Sequence, residues 1–169
     1  MATTLTARLA VSLSAELTKS LDVGNAAYPA TLGVTNVFTN GTGADQANEL
    51  FTDTRTITAS SSENLDLAGV LTDAFGTTLS FTKVKALVIT AAAANVNDVV
   101  VGGHPTAAFF PMFGAATDTV NVKPGGTLVL AAPDATGYPV VATAADMLTV
   151  ANGGAGTSVT YTIAIVGTV

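Results

Sequence analysis

The side chains that could carry out chemistry are few in this chain and lie far apart in its sequence. The chain has one histidine, His104, and no cysteine, which excludes a disulfide scaffold, a thiolate zinc site and a cysteine nucleophile. A hydrolytic triad would have to use His104 as its base. Because His104 stands between Gly103 and Pro105 and little else converges there, we interpret it as a loop residue.

Oxygen ligands for a cation are grouped tightly at one place only, Asn95, Asn97 and Asp98. An EF-hand calcium loop needs further acidic ligands and a closing glutamate at fixed positions, and these are missing. We therefore interpret the segment as a solvated β-turn. The glycine-rich segments also lack the lysine and hydroxyl residues of a phosphate-binding loop. No metal and no cofactor is predicted.

Three carboxylates, Glu63, Asp66 and Asp73, raise the alternative of the paired acids of a glycosidase. That mechanism needs a cleft and usually aromatic platforms for the sugar, and the chain has no tryptophan and only three tyrosines. These acids are therefore interpreted as turn and edge residues. Arg55 is predicted to pair with Asp53 or with a neighbouring subunit. We expect the protein not to be an enzyme.

The composition predicts an assembly component. The 169 residues (16.8 kDa) fit one domain, 49% of them are hydrophobic and only 11% are charged, against about 25% in ordinary soluble domains. High hydrophobicity with little charge is the reverse of the disorder signature. A net charge of -6 makes the chain a poor binder of phosphates, so no nucleic-acid partner is predicted. So few charges indicate a surface covered in large part by other subunits.

Neither end of the chain predicts membrane insertion or export. Met1–Leu17 carries Arg8 and Glu16 within its apolar pattern, which a signal-peptide core would not tolerate. Met147–Val169 is free of charge but contains several glycines and threonines, so it is not predicted to be a membrane helix. We expect synthesis in a host cytoplasm, a soluble product and no membrane partner.

The N-terminal segment alternates between apolar and polar residues over thirteen positions, which is typical of a strand with one dry face. A helix would leave Val11 on the wrong side. Residues 1–20 are predicted to form an N-terminal arm or an edge strand, and residues 3–17 to pair with the body or with an adjacent subunit. The candidate assembly interface is its dry stripe: Leu5, Leu9, Val11, Leu13 and Leu17.

The rest of the chain reads as short strands separated by glycine and proline turns. Residues 22–30 are interpreted as a loop, 44–50 as one helical turn, and 79–90 as a central strand that is apolar on both faces. Pro124-Gly125-Gly126 is interpreted as the turn of a hairpin between strands near Val122 and Leu128. The closing segment, 159–165, alternates cleanly and is predicted to be a strand.

Strands at this spacing predict an all-β fold, specifically an antiparallel jelly-roll-like β-sandwich over residues 1–169, with about eight to ten strands. An open sandwich leaves unpaired backbone groups at its edges, and this chain has few charges with which to protect them. Oligomerisation is the natural cover. We expect a homo-oligomer, with a trimer as the first expectation and a dimer as the alternative.

A series of turns and strand edges, spread in order over most of the chain, resembles small virion proteins of tailed bacteriophages, namely their head decoration (cement) proteins. The motifs are not a chemical signature. The residues that carry the resemblance are Asn40–Gly43, Asp53–Thr56, Leu65–Leu67, Leu71–Gly76, Lys83–Leu87, Val101–Gly103, Pro124–Gly126 and Asn152–Thr157.

The resemblance implies a β-sandwich that sits as an oligomer on the capsid exterior of the virion, has no enzymatic activity and binds the major capsid protein. Such a protein would stabilise contacts between capsid subunits. Two alternatives stay open: a phage tail or baseplate structural protein, and a carbohydrate-binding β-sandwich. The latter would need an exposed aromatic platform, whereas most of the phenylalanines and tyrosines fall at core-like positions.

Overall fold

The computed structural model of the chain describes residues 3–169, and within that range its regular structure consists of strands. The first two strands, β1 (Ala7–Ser20) and β2 (Asn25–Asn40), form a long antiparallel hairpin in unbroken register from Ala7 opposite Phe38 to Ser20 opposite Asn25. A two-residue strand, β3 (Gln46–Ala47), pairs in parallel with the end of β2. The hairpin is thus tied to the remaining strands only at its base.

Two further sheets make up the body of the molecule. One has five strands: β4 (Glu49–Ile57), β6 (Lys83–Ala91), β9 (Thr127–Ala131), β10 (Tyr138–Pro139) and β12 (Val159–Thr168). In it, β6 pairs with β12, β9 and β10, and β12 pairs with β4. The other has four strands in the order β5 (Ser62–Asp66), β11 (Met147–Asn152), β7 (Val99–Gly102) and β8 (Thr119–Val122). All strand pairs within these two sheets are antiparallel.

One hydrophobic core fills the space between the two body sheets. Alternate residues of β12, Tyr161, Ile163 and Ile165, are fully buried and belong to the same cluster as Leu148 and Val150 of β11 in the other sheet. The prediction of an all-β fold is confirmed, and two antiparallel sheets around a shared core are consistent with a sandwich. The specific jelly-roll strand order stays a prediction.

Three local predictions are wrong. Residues 22–30 are mostly strand, because β2 begins at Asn25 directly after a tight turn. The predicted helical turn over 44–50 is instead β3 and the start of β4. The turn at Pro124–Gly126 does not close a hairpin, since β8 before it pairs with β7 and β9 after it pairs with β6. The chain crosses there from one sheet to the other.

In residues 3–169 no helix has the length and apolar character needed to cross a membrane.

Candidate assembly surface

The hairpin begins with a turn that the local sequence favours. Four residues, Leu21–Gly24, connect β1 to β2, and the Leu21 amide donates a hydrogen bond of 2.9 Å to the Gly24 carbonyl. Gly24 has φ +91°, a conformation that side chains with a Cβ rarely adopt. The turn brings Ser20 opposite Asn25 and so fixes the register of the whole ribbon.

The register places the apolar residues of both strands on one face of the ribbon. Residues directly opposite each other in an antiparallel pair share a face, and this face repeats at every second position. Its members beyond the base are the pairs Val11–Val34, Leu13–Leu32, Ala15–Ala30 and Leu17–Tyr28. The opposite face carries mostly small and polar residues, among them Ser12, Ser14 and Thr31. The hairpin is therefore amphipathic, and we call this side of it, from Leu9 and Phe38 at the base outward, its apolar face.

Exposure rises along the apolar face with distance from the body. On β1, the exposed fraction is 47% at Val11, 60% at Leu13 and 74% at Leu17. On β2, it is 53% at Val34 and 67% at Leu32, and similar at Tyr28. From Ala10 to Thr35 every residue is exposed. The ribbon thus projects away from the sandwich, and no second layer from residues 3–169 covers either of its faces.

At its base the same face packs on the outer surface of the five-stranded sheet. Fully buried Phe38 is the centre of this contact, and the Leu5 amide donates a hydrogen bond of 3.1 Å to Asn40 Oδ1 at the end of β2. The small cluster formed there, separate from the main core, comprises Leu5, Ala7, Leu9, Phe38, Ala47, Ala86 and Val166. The base contact shows which kind of surface fits the apolar face.

A buried lysine holds the loops behind the hairpin. Lys85 is fully buried on β6, and its Nζ donates hydrogen bonds to the backbone carbonyls of Gly43 (3.3 Å) and Asp134. The Asp45 amide adds a 2.7 Å hydrogen bond to the Pro133 carbonyl. Burial lowers the pKa of the Lys85 ammonium, because desolvation disfavours its charged form. These bonds join the loop after β2 to the loop after β9.

The outer face of the five-stranded sheet continues beyond this base as an uncharged surface. The strand register aligns Thr54, Thr162, Thr90 and Thr127 in one row across β4, β12, β6 and β9. The Oγ1 atoms of Thr54 and Thr162 are 2.9 Å apart. The neighbouring row, which lies next to the hairpin base, consists of Thr52, Ala164, Val88 and Val129. We call these two rows the threonine–valine face.

A cleft of about 130 Å³ lies between the base of the hairpin and the sheet. It is lined from the hairpin side by Ala7, Arg8, Leu9 and Phe38, and from the sheet side by Ala86, Val88, Ala164 and Val166. The apolar face and the threonine–valine face therefore meet at the cleft and are uncovered further out.

Of the five residues predicted as an assembly interface, the structure buries none completely within one chain. Leu5 and Leu9 are half-buried at the base, whereas Val11, Leu13 and Leu17 are exposed. The strand containing them pairs with β2 over its whole length. That a partner covers these residues stays a prediction.

The candidate interface predicted from the sequence does not include the β2 half of this surface, Tyr28, Leu32 and Val34 among it. The interpretation of residues 22–30 as a loop depends on Gly24, Asn25 and Pro29, but proline is tolerated on strands with an open side, and β2 meets β3 only at Thr39–Asn40. The signal that could have found it is the alternation of apolar residues at even positions from 28 to 34.

Two of the acids considered for glycosidase chemistry, Glu63 and Asp66, form hydrogen bonds within the chain, as does the neighbouring Arg55. Arg55 donates hydrogen bonds to Asp53 (2.8 Å) and to Glu63 (2.7 Å), which confirms the predicted pair with Asp53. The hydroxyl of fully buried Tyr161 donates to the other Glu63 oxygen at 3.0 Å. Burial, reinforced by the Glu63 charge, raises the pKa of Tyr161. Asp66 accepts a hydrogen bond from the Ala68 amide.

The candidate calcium ligands and the histidine also brace the backbone. Asn95 exchanges two hydrogen bonds with the backbone of Thr160, of 2.8 and 2.9 Å. Asn97 Nδ2 donates a hydrogen bond to Asn152 Oδ1. Asp98 forms an ion pair with Lys123, which follows β8. His104 lies in a loop, and its Nδ1 accepts a hydrogen bond of 3.0 Å from the Ala107 amide.

A second cavity, of about 230 Å³, opens beside the N-terminal segment and β4. Phe75, 83% exposed, lines it together with Glu49 and Asp73. Burial and the nearby Asp73 charge raise the pKa of Glu49. Asp73 Oδ1 already accepts hydrogen bonds from the amides of Phe75 and Thr77, which fix the turn. Phe75 lies in a turn and is an exception to the expectation that most of the aromatic residues occupy core-like positions.

Within the described part of the chain, no group of three or more histidine, cysteine, aspartate or glutamate side chains lies close enough together to hold a metal ion. Comparison with known proteins identifies no family model, no curated protein and no solved structure that matches the chain significantly.

Proposed function

We propose that the protein is a virion structural protein, specifically a capsid decoration (cement) protein. In this role it binds the outer surface of a tailed-phage head and stabilises contacts between major capsid protein subunits. Its partners are the major capsid protein and further copies of itself, with a trimer expected. The resemblance in the turn and strand-edge motifs and the low charge of the chain both support this role.

The observation that carries the proposal is the unsupported hairpin. A two-stranded ribbon is at best marginally stable in water, and sheets normally gain stability from a second layer packed on an apolar face. Here both faces are exposed from residue 10 to 35, although large apolar side chains line one of them. Burying such a side chain contributes about 1.5–3 kcal/mol. A protein that presents this ribbon gains a complete fold when another protein surface covers it.

The experiment measures decoration of phage heads that lack the protein. The test variant carries Leu9→Asp and Leu13→Asp, which place charges on the apolar face, where burial of an unpaired charge is costly. The control carries Ser12→Asp and Ser14→Asp, which place the same charges on the opposite face of the same strand. We expect the first variant to lose head binding and the control to keep it.

Wild-type occupancy by the Leu9→Asp, Leu13→Asp variant would contradict the proposal. The copy number of the protein in purified virions distinguishes a head protein from a tail protein. A cement protein approaches the major capsid protein in number, whereas a tail or baseplate protein is far rarer.

A second candidate function, carbohydrate binding, is favoured by one observation. Phe75 supplies an exposed aromatic ring beside a cavity that also contains Glu49 and Asp73, and carboxylates there could accept hydrogen bonds from sugar hydroxyls. If this cavity binds a glycan, Phe75→Ala should abolish retention on a glycan array while leaving head decoration intact. Absence of retention by the wild-type protein would remove this candidate.

A further inference from the structure

The apolar face of the hairpin already has one partner of known chemistry, the outer face of the five-stranded sheet. At the base, Leu9 and Phe38 of the hairpin pack with Ala86 and Val166 of the sheet. The next rows of that sheet offer the same kind of surface, small and uncharged, and they lie uncovered beside the cleft. The apolar face and the threonine–valine face are thus continuous with a contact that exists within the chain.

The hairpin does not reach these rows of its own sheet. Exposure increases from 47% at Val11 to 74% at Leu17, so the ribbon leaves its own body as it extends. One chain therefore has two surfaces, the apolar face and the threonine–valine face, that match in chemistry but do not pack on each other beyond the base. We infer that the hairpin of one copy docks by its apolar face on the threonine–valine face of a second copy.

The charge distribution permits a second copy as the occupant. Arg8 and Lys19 balance Glu16 and Asp22 on the hairpin, so the net charge of -6 belongs to residues 41–169. Two acidic bodies packed on each other would repel, whereas a neutral hairpin can lie on an uncharged face of an acidic neighbour without that cost. The only cations on the hairpin, Arg8 and Lys19, are at opposite ends of β1.

The buried area distinguishes this arrangement from hairpins that pack on each other. At about 3.3 Å per residue and 4.8 Å between strands, the projecting part of the hairpin offers roughly 400 Å² on one face. A copy that gives one hairpin and receives another buries about twice that area, near the 800 Å² per partner of a stable interface. Contact between two hairpin faces alone would bury only half as much. Each copy therefore both gives and receives: a closed dimer places the full area between two copies, and a ring divides the same total per copy between two neighbours.

The inference rests on the proposed role in assembly: the surface that covers the hairpin is another copy, and loss of head binding by the Leu9→Asp, Leu13→Asp variant then follows from loss of the oligomer. It is tested on the purified protein without a capsid. Because the chain has no cysteine, each introduced thiol is unique. One preparation carries Leu13→Cys and the other Thr162→Cys, and the two are mixed, allowed to exchange and treated with a short bismaleimide. The control mixture replaces Leu13→Cys by Ser14→Cys, whose side chain points to the other face of β1.

We expect a cross-linked pair from the Leu13→Cys and Thr162→Cys mixture, at least tenfold more than from the Ser14→Cys control. Cross-linking of Leu13→Cys to itself, without reaction to Thr162→Cys, would overturn the inference in favour of hairpins packed on each other. Equal yields from the test and control mixtures would also overturn it.

A second measurement, the oligomer mass, tests the threonine–valine face directly. Thr162→Arg should lower the oligomer mass in light scattering to that of one chain, whereas Thr106→Arg, the same change at an exposed loop position, should not. A wild-type protein that is monomeric yet decorates heads through its hairpin would overturn the inference and leave the proposed function standing. A protein that cross-links as expected but does not bind heads would overturn the proposed function and leave the inference standing.

Discussion

In strand β12 of the sandwich, every second side chain meets the facing sheet, whereas in strand β1 of the hairpin the same alternation meets no second layer beyond Leu9. Tyr161, Ile163 and Ile165 are fully buried, while Leu13 and Leu17 are 60% and 74% exposed. Both strands have the period of two that defines a dry and a wet face. The comparison shows that the pattern specifies which face is to be buried, and that the covering layer must be supplied by other residues.

Truncating one apolar side chain in each region should show the largest difference in stability between the two regions. Ile163→Ala removes buried methylene groups from the core and should lower the free energy of unfolding by about 2–5 kcal/mol. Leu13→Ala should change it by less than about 0.5 kcal/mol in the isolated chain, because its side chain is already largely in water. Urea unfolding at concentrations where the protein is monomeric measures both. A cost for Leu13→Ala similar to that for Ile163→Ala would mean that the hairpin is packed within one chain.

Lys85 tests how firmly the two regions are joined. Lys85→Met keeps the volume of the side chain but leaves the Gly43 and Asp134 carbonyls without their donor, at a cost of about 1–3 kcal/mol. Hydrogen exchange should accelerate most at the Asp45 amide, which bonds to Pro133 across the same two loops. Uniform acceleration over the core of the sandwich, with no excess at Asp45, would contradict a role at the hairpin base.

Tyr161 provides a pH test that concerns the sandwich alone. Its pKa is raised in the folded protein above the ordinary value of 10.0, because burial and the Glu63 charge disfavour the phenolate. Above pH 10 the unfolded chain releases the Tyr161 proton while the folded chain keeps it, so stability falls as pH rises. The slope attributable to Tyr161 is about half of 1.4 kcal/mol per pH unit at pH 10 and approaches about 1.4 kcal/mol per pH unit well above it.

Tyr161→Phe is the matched control, since it keeps the ring and removes the titrating hydroxyl. The variant loses the hydrogen bond to Glu63, which lowers stability at every pH, but its decline above pH 10 should be shallower than that of the wild type. Identical slopes for the two proteins, measured by chemical unfolding between pH 9 and 11, would show that Tyr161 ionises freely in the fold.

The sequence predicted the strands in which large apolar residues recur at every second position or fill both faces. The alternation from Leu5 to Leu17 located β1, the run apolar on both faces located β6, and the closing alternation located β12. These patterns are local, and strands form wherever an apolar face recurs at every second residue.

The errors arose where local chemistry did not determine the structure. Residues 22–30, which include Pro29, were predicted to be a loop because the sequence does not show that β2 has an open side there. The turn at Pro124–Gly126 is real, and the Gly126 amide donates to the Lys123 carbonyl, but turn residues do not specify which strand pairs with the next. The assembly surface was half predicted for the same reason: its β1 residues follow from periodicity, and its β2 residues depend on register.

The central claim is that the hairpin assembles the protein and the sandwich folds without it, and deletion of the hairpin tests this most directly. In the shortened chain, Asn-Gly replaces residues 11–34 and joins Ala10 to Thr35, which already face each other in the register. Light scattering and thermal unfolding are measured on the same sample. We predict a folded monomer with a melting temperature close to that of the dissociated wild type. An oligomer of wild-type stoichiometry, or an unfolded chain, would contradict the claim.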